Sequence, residues 1–311
     1  MPHPRLLTHS GSFHCDDAFA YATLRLALGL TTPGTDHTLT RTRDPALIEA
    51  ADIVWDVGTI HDPARSRFDH HQRNAPTRPD TGLAYSAAGL VWQIHGQAAV
   101  TAALPTASPA MAASIASEMD DEILRRIDAI DNGDAPPTDS LGLSAIVEDC
   151  NPTWDSGLVG NEPAEDAAFI RAADLMAGFI TRRANRIRAR LEAANLVLAA
   201  HTSGPDPRLL VLDRKMPWQG PVFAEDLPVL YAIYPVPGGN WIIDAMPPEP
   251  GSFAQRLPLP ASWAGLQGAA LAEITGIPDA VFVHTRRFVA AAGSRDGALA
   301  LAGASIQFKE R

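Results

Sequence analysis

Cysteine and lysine are the scarcest informative residues in this 311-residue chain: Cys15 and Cys150 are its two cysteines, and Lys215 and Lys309 its two lysines. Two cysteines cannot build a disulfide framework or a CxxC-type structural zinc site, which fits a reducing compartment. With 25 Lys and Arg against 36 Asp and Glu, the formal net charge is -11. Indiscriminate coating of nucleic acid depends on neutralising phosphates with basic side chains, so this balance argues against it. A local basic groove stays open; "RRANRIRARLE" gathers arginines between 182 and 190, though a solvated helix face is the plainer reading of such a run. No apolar run approaches the roughly 18 residues that span a bilayer, and "MPHPRLLTHSGSF" lacks the charged, apolar and small-residue sections of a signal peptide. The expectation is a protein without a membrane segment, located in the cytoplasm. Also missing are a G-x-S-x-G elbow, a P-loop and a G-x-G-x-x-G turn, which removes the common serine-hydrolase and nucleotide-fold readings.

What is present is an ordinary globular composition, 46% hydrophobic and 20% charged, in a chain longer than one core usually supports. "RLLTHS", "TLTRTR" and "DIVWDVG" read as strands alternating with the helical patterns "CDDAFAYATLRLALG" and "DPALIEAA", the texture of a parallel sheet wrapped by helices. Further helices are predicted over 83–96, 112–131 and 165–195, the last a connector. Beyond it "NLVLAA", "LLVLD", "VLYAIYPV", "NWIIDAM" and "AVFVHT" read as strands with Pro and Gly between them. The expected fold class is therefore α/β: an N-terminal parallel-sheet domain with a linking helix over residues 1–195, and a smaller mixed α/β domain over 196–311.

In open parallel sheets ligands bind outside the carboxyl ends of the strands, and the polar clusters fall there. His9 ends the first strand, Asp56 the third, and Asp69, His70 and His71 another; His14 and Asp16 bracket one residue in the turn after His9. Asp128 and Asp131 follow in "RIDAIDNGD". A lone strand-end histidine is more often a hydrogen-bonded structural residue than a ligand, but recurrence at successive strand ends raises the set above that. Mixed imidazole and carboxylate donors suit Mn, Fe or Zn better than Ca, and a carboxylate closing a very apolar strand needs a partner. Cys15, beside His14, has no evident nucleophile partners and reads as packing. "DAIDNGD" lacks the distal Glu and alternating spacing of a calcium loop.

The motifs "THSGSFHCDDAFA", "RTRD", "DVG", "FDHHQR", "DAIDNG" and "NPTW", followed by "RLPLP", "GIPDAVFVH" and "RDGAL", resemble in order the melanocyte-proliferating-gene (MYG) family of metal-dependent hydrolases, within the DHH phosphoesterase superfamily. The likeness covers essentially the whole chain. It implies an N-terminal DHH domain and a C-terminal domain that closes over substrate. It also implies a metal-ligand set of His9, His14, Asp16, Asp56 as bridge, His70, and Asp131 with Asp128 as the alternative. His71 would contact the reacting phosphate as a general acid, backed by Asp69. Some positions depart from the family pattern: Ser10, Asp17, Thr59 and His61 stand where other residues are common.

The resemblance then implies a metal-dependent phosphodiesterase, an RNA or oligonucleotide 3′–5′ exonuclease working through two Mn2+ ions, with Mg2+, Fe2+ or Zn2+ as substitutes and a two-metal-activated water. Arg256, His284, Arg286 and Lys215 are the candidates to bind substrate phosphates, and Trp218 and Trp241 the candidates to stack bases; each has a structural rival as ion pair, strand-end residue, turn residue or core. Expected partners are single-stranded RNA, a short oligonucleotide or a small phosphate compound, and a second copy in a homodimer. The alternative function is a small-molecule phosphohydrolase of pyrophosphatase or nucleotide phosphatase type, which the acidic charge favours. A metal-stabilised binding module is the remaining reading, weakened because structural zinc sites are usually thiolate-rich.

Overall fold

A computed structural model describes residues 3–136 and 140–308. The chain divides into two compact units, residues 1–188 and 189–311.

In the first unit, strands β1 (Arg5–Thr8), β2 (Thr38–Arg41), β3 (Ile53–Trp55), β4 (His61–Asp62) and β5 (Arg67–Phe68) form one sheet in the order β2-β1-β3-β5-β4. β1 pairs parallel with β2 and β3, and β3 with β5; only the edge strand β4 is antiparallel. Leu6, Leu7, Ile53, Val54, Trp55 and Phe68 are all buried, the near-continuous apolar pattern of parallel strands covered on both faces. The carboxyl ends of β1, β3 and β5 therefore release His9, Asp56 and Asp69 at one edge of the sheet.

Helix α1 (Cys15–Leu28) is buried from Cys15 to Leu24 and closes on Gly29 in the left-handed conformation, φ 67°, a standard helix stop. Its first turn holds Asp16 and Asp17, where carboxylates complement the helix dipole. Helix α2 (Pro45–Ala50) starts on Asp44, whose side chain accepts from the Ala46 N–H. Helix α3 (Ala87–Ala103) packs against α1, and its Gly89 is required by crowding: a Cβ there would collide with Tyr85 and the Asp128 carboxylate. The helix predicted over 112–131 runs as α4 (Pro109–Met119), a π-helical turn (Asp120–Leu124) and α5 (Arg125–Asp131). Helix α6 (Leu143–Glu148) and the long α7 (Glu162–Ser203) follow.

The second unit is built on β6 (Leu209–Val211), β7 (Tyr231–Pro235), β8 (Trp241–Ala245), β9 (Ala280–Val283) and β10 (Val289–Ala292), in the order β6-β7-β8-β10-β9. β6 and β7 are parallel and the other pairs antiparallel. One face packs Leu271 of α9 (Gly268–Thr275) and Leu301 of α10 (Arg295–Gln307) against Ile233 and Ile243. The other packs Val222 of α8 (Gln219–Ala224) and Val197 against Ala232 and Tyr234. One expectation fails here: "NLVLAA", read as a strand, is the end of α7. Ala193 and Val197 are buried and Ala200 packs with them on the same core, a spacing of four and three that is a helix stripe. A short apolar run cannot be assigned by composition alone.

Candidate metal centre

The residues of the first sheet's carboxyl edge converge because each strand stops where its polar residue begins. After β1 the chain turns at Gly11 (φ 91°), and Asn151 fastens this turn. Its Oδ1 accepts the Phe13 N–H at 3.0 Å and its Nδ2 donates to the Phe13 carbonyl at 2.9 Å. That places His14 at the N-cap of α1, with its own N–H donated to Asp17 Oδ2 at 3.1 Å. Asp56 leaves β3 at φ 56°, a left-handed conformation that costs a non-glycine residue energy and tends to persist at functional sites.

Within this edge, His9 Nε2 lies 2.7 Å from Asp17 Oδ2 and 3.2 Å from Asp56 Oδ2. His70 Nε2 lies 3.3 Å from Asp56 Oδ1 and 3.4 Å from Asp131 Oδ2. His71 Nδ1 is 2.7 Å from Asp69 Oδ1 and 3.7 Å from Asp56 Oδ1. Candidate donor atoms fall within 4.8 Å of one another in overlapping groups: Asp56, Asp69, His70 and His71; His9, His14 and Asp17; His14, Asp16 and Asp131; and Asp16, Asp17 and Asp56. All eight residues expected in the site, His9, His14, Asp16, Asp56, Asp69, His70, His71 and Asp131, are thus brought together. Asp128 is not among them: it accepts from the Ser86 N–H and hydroxyl at 3.0 and 2.7 Å and from Arg78 Nε at 2.8 Å. His61 sits on β4 with its ring 6.4 Å from Phe68, outside these groups.

Asp17, Asn132, Asn151 and Arg41 were not anticipated as site residues. Asn132 Oδ1 accepts from His70 Nδ1 at 3.3 Å and its Nδ2 donates to the carbonyls of Ala84 and Asp128. His9 Nδ1 likewise faces the Ser10 carbonyl at 3.1 Å. Both pairings turn Nε2 toward the carboxylates, the nitrogen that would face a metal ion once its proton is lost. Arg41, buried over the rings of Phe13 and Phe169, donates to the Gly11 carbonyl. The signals were faint: Asp17 stands at the N3 position of a capping box, and Asn132 simply follows Asp131.

The electrostatics are those of a cation-binding pocket. Burial, with Asp56 and Asp131 adding repulsion, holds the Asp16 carboxyl well above the usual carboxylate range. Burial also raises Asp17 and Asp131. Asp56 moves the other way: burial opposes its charge, but His70 and His9 outweigh that. Burial likewise disfavours the charged His9 imidazole, yet Asp17 and Asp56 lift it to about 10. Among the described residues, Asp16 Oδ1, Asp17 Oδ1 and Asp56 Oδ1 are buried without a hydrogen-bond partner. Orphaned buried carboxylate oxygens are costly and call for an explanation, and a divalent cation supplies one. The donor set of carboxylates and imidazoles fits a first-row ion, while the buried Cys15 thiol, pushed up by burial, offers no thiolate.

Clefts open on the cluster from two sides. One of about 570 Å3 is lined by Arg43, Ile48, Thr59, Asp56, Asp69 and His71; another of about 270 Å3 by His14, Asp16, Asp131, Ser144 and Glu148. His71 is 57% exposed against 4% for Asp56, so a substrate can reach its imidazole.

The substrate candidates of the second unit have different surroundings. Arg256 Nη1 donates to the carbonyls of Leu227 and Val229 at 2.6 and 3.2 Å. His284 Nδ1 accepts the Arg286 N–H at 3.1 Å, and its ring lies 4.6 Å from that of Phe288. Lys215 and Arg286 are exposed. Trp218 is 4% exposed and belongs to the core, and Trp241 is half-buried against the sheet, so Trp218 is no platform for a base.

A largely parallel α/β sheet with an imidazole–carboxylate cluster at its strand ends defines a candidate divalent-metal centre. The comparisons give the family. Residues 5–306 match the model of the MYG1 exonuclease family, described as an uncharacterised protein family (UPF0160). Human MYG1 exonuclease is 35% identical, covering 98% of this chain and 86% of the relative. The bovine MYG1 exonuclease is 35% identical over 98% and 85%, and a Schizosaccharomyces pombe MYG1 protein 30% over 98% of each. This chain belongs to the MYG1 exonuclease family and is, with it, a hydrolytic enzyme. A crystal structure of RecJ with Mn2+ from Thermus thermophilus also matches, at 17% identity and TM-score 0.27, over 98% of this chain and 52% of that one; a likeness so distant carries no argument.

Proposed function

We propose that this protein is a divalent-metal-dependent phosphodiesterase that shortens RNA or short oligonucleotides from the 3′ end. The observation that carries the chemistry is that Asp16, Asp17 and Asp56 each keep a buried oxygen with no hydrogen-bond partner among the described residues, in a cluster that also holds His9 and His70. The relatives' name supports the substrate class. His9, His14, Asp16, Asp56, His70 and Asp131 would hold two ions, Mn2+ by preference. Bound there, divalent ions supply an acidified water and positive charge for in-line displacement at phosphorus.

The chain's own residues do the rest. Asp69 holds His71 through Nδ1 and raises its affinity for a proton, so the exposed Nε2 can carry a proton to the leaving oxygen as a general acid. Asn132 and the Ser10 carbonyl keep the His70 and His9 rings turned. In the second unit, Lys215, Arg256, His284 and Arg286 are the proposed contacts to the remaining substrate charge. A homodimer and a cytoplasmic location complete the reading, on size and composition.

The net charge of -11 favours a second reading, a small-molecule phosphohydrolase, since an acidic protein repels long polyanions. End-labelled single-stranded RNA, pyrophosphate and a dinucleotide, each incubated with Mn2+ and with His70→Ala as the blank, separate the two. Stepwise shortening of RNA that the variant lacks supports the exonuclease. Cleavage of pyrophosphate alone supports the second reading.

A further inference from the structure

The second unit has a cleft of about 240 Å3, whose lining includes Gln219, Asp244, Phe253, Gln255, Arg286 and Phe288. Phe253 is 84% exposed, whereas Phe13, Phe19 and Phe169 are at most 1% exposed. Contiguous apolar surface left in water marks binding sites, and Phe253 and Phe288 both line this cleft. The Arg286 guanidinium lies 5.8 Å from the Phe253 ring centroid, and Phe288, itself 37% exposed, rests its ring on His284.

Asp244, half-buried on β8, accepts the Tyr234 hydroxyl through Oδ2 at 3.1 Å. Burial raises this carboxyl, and the hydroxyl and the nearby Lys215 partly offset the rise. Gln255 Nε2 donates to the Phe253 carbonyl at 2.6 Å, which fixes the loop that presents the ring. An apolar ligand would offer no donor to the Asp244 carboxyl beyond the Tyr234 hydroxyl, and an anion would be repelled by it. A flat heteroaromatic ring with N–H groups on its edge satisfies every element: π-faces for Phe253 and Arg286, donors for Asp244.

We propose that this cleft is a nucleobase subsite, in which a base stacks on the exposed ring surface of Phe253 beside Arg286 and presents an exocyclic amino group to Asp244. The inference rests on the nucleic-acid reading above. Cytosine and adenine carry such a donor, while uracil presents a carbonyl oxygen at the equivalent edge, so the subsite discriminates against uracil.

The test is fluorescence anisotropy of labelled short oligo(C), oligo(A) and oligo(U) with the full-length protein, a chelator stopping turnover. Oligo(C) and oligo(A) should bind more tightly than oligo(U). Phe253→Ala should weaken oligo(C) binding about 5- to 150-fold, the range for losing one stacked base, and Phe253→Tyr should restore it. Asp244→Asn should erase the preference between oligo(C) and oligo(U). Because Phe253 is exposed, an unchanged melting temperature in Phe253→Ala separates lost stacking from lost fold. Unchanged affinity in Phe253→Ala, or equal binding of all oligonucleotides by the parent, overturns the proposal. Failure of the nucleic-acid reading looks different: no oligonucleotide binds or is shortened, while pyrophosphate is still split with Mn2+, and the base subsite falls with it.

Discussion

The carboxyl edge of the first sheet and the cleft of the second unit are built on opposite terms. Asp16, Asp17 and Asp56 are at most 4% exposed and each keeps an unpartnered oxygen; Phe253, Lys215 and Arg286 are exposed. Buried, mutually repelling carboxylates have to be neutralised, by protons when the site is empty or by a bound cation. Exposed cations and aromatics cost little and need no such partner. The difference separates two tasks: chemistry needs preorganised, dehydrated charge, and grip needs accessible surface. It also ranks the consequences of perturbing each region.

The largest effect belongs to the cluster. Asp56→Asn removes the carboxylate that faces His9, His70 and His71 together, and hydrolysis of any phosphodiester should fall below detection while circular dichroism stays that of the parent. Chelation should do the same reversibly, with Mn2+ restoring activity. Residual turnover in Asp56→Asn equal to the parent's would break the contrast at its root.

Next comes the scaffold beneath the cluster. Arg78 is 1% exposed, pairs with Asp120 at 2.7 Å and with Asp128 at 2.8 Å, and its guanidinium lies 4.7 Å from the Tyr85 ring centroid. Arg78→Met leaves the buried Asp128 uncompensated, and losing one partner of such a pair costs about 3–5 kcal/mol. Urea unfolding should show that loss, while metal binding below the melting transition persists, since Asp128 donates nothing to the cluster.

Asn132→Ala is expected to weaken metal binding about 10- to 100-fold, the usual cost of losing a residue that orients a ligand, measured by titration calorimetry with Mn2+. Proton competition sharpens the same point. With the His9 pKa near 10 in the metal-free protein, binding at neutral pH must expel that proton, so affinity should rise about tenfold per pH unit up to that value from this group alone. The sign for stability is opposite. A pKa raised above its unfolded value of about 6.5 stabilises the metal-free protein below that pH, and the contribution is lost as pH climbs toward 10. Alkaline pH should therefore destabilise the metal-free form and tighten the metal-bound one. A metal affinity independent of pH between 7 and 9 would show that metal binding expels no proton from His9 in that range.

How much of this was legible in the sequence follows the same division. The parallel sheet and its polar strand ends could be read because "RLLTHS" and "DIVWDVG" change from apolar to polar where the strands stop, and "FDHHQR" resembles a family motif that spells out two of the imidazoles. Asp17 and Asn132 were hidden because their roles come from tertiary placement: one is a capping residue that also faces His9, the other reaches across to His70 from the end of α5. "NLVLAA" misled because a run of six residues fits both periods, and the buried Ala193 that shows the helical spacing to Val197 lies outside the run. In the second unit, Arg256 could be counted as a charge from the sequence, but its hydrogen bonds to the Leu227 and Val229 carbonyls could not. Phe253 looked like any other phenylalanine.

The smallest effect separates the kinds of grip within the second unit. Lys215 is exposed, and its charge acts on Asp244 at the base-binding cleft; the proposed contact is with a substrate phosphate. A single exposed cation contributes mainly through released counterions, so Lys215→Ala should weaken oligonucleotide binding only a few-fold at moderate salt. The slope of log affinity against log salt should become shallower by about 0.7, the value for one phosphate on a single strand. Phe253→Ala should leave that slope unchanged while lowering affinity at every salt concentration, because stacking releases no ions. If Lys215→Ala leaves the slope as it was, its charge faces solvent rather than phosphate, and the grip of the second unit rests on its aromatic and carboxylate groups.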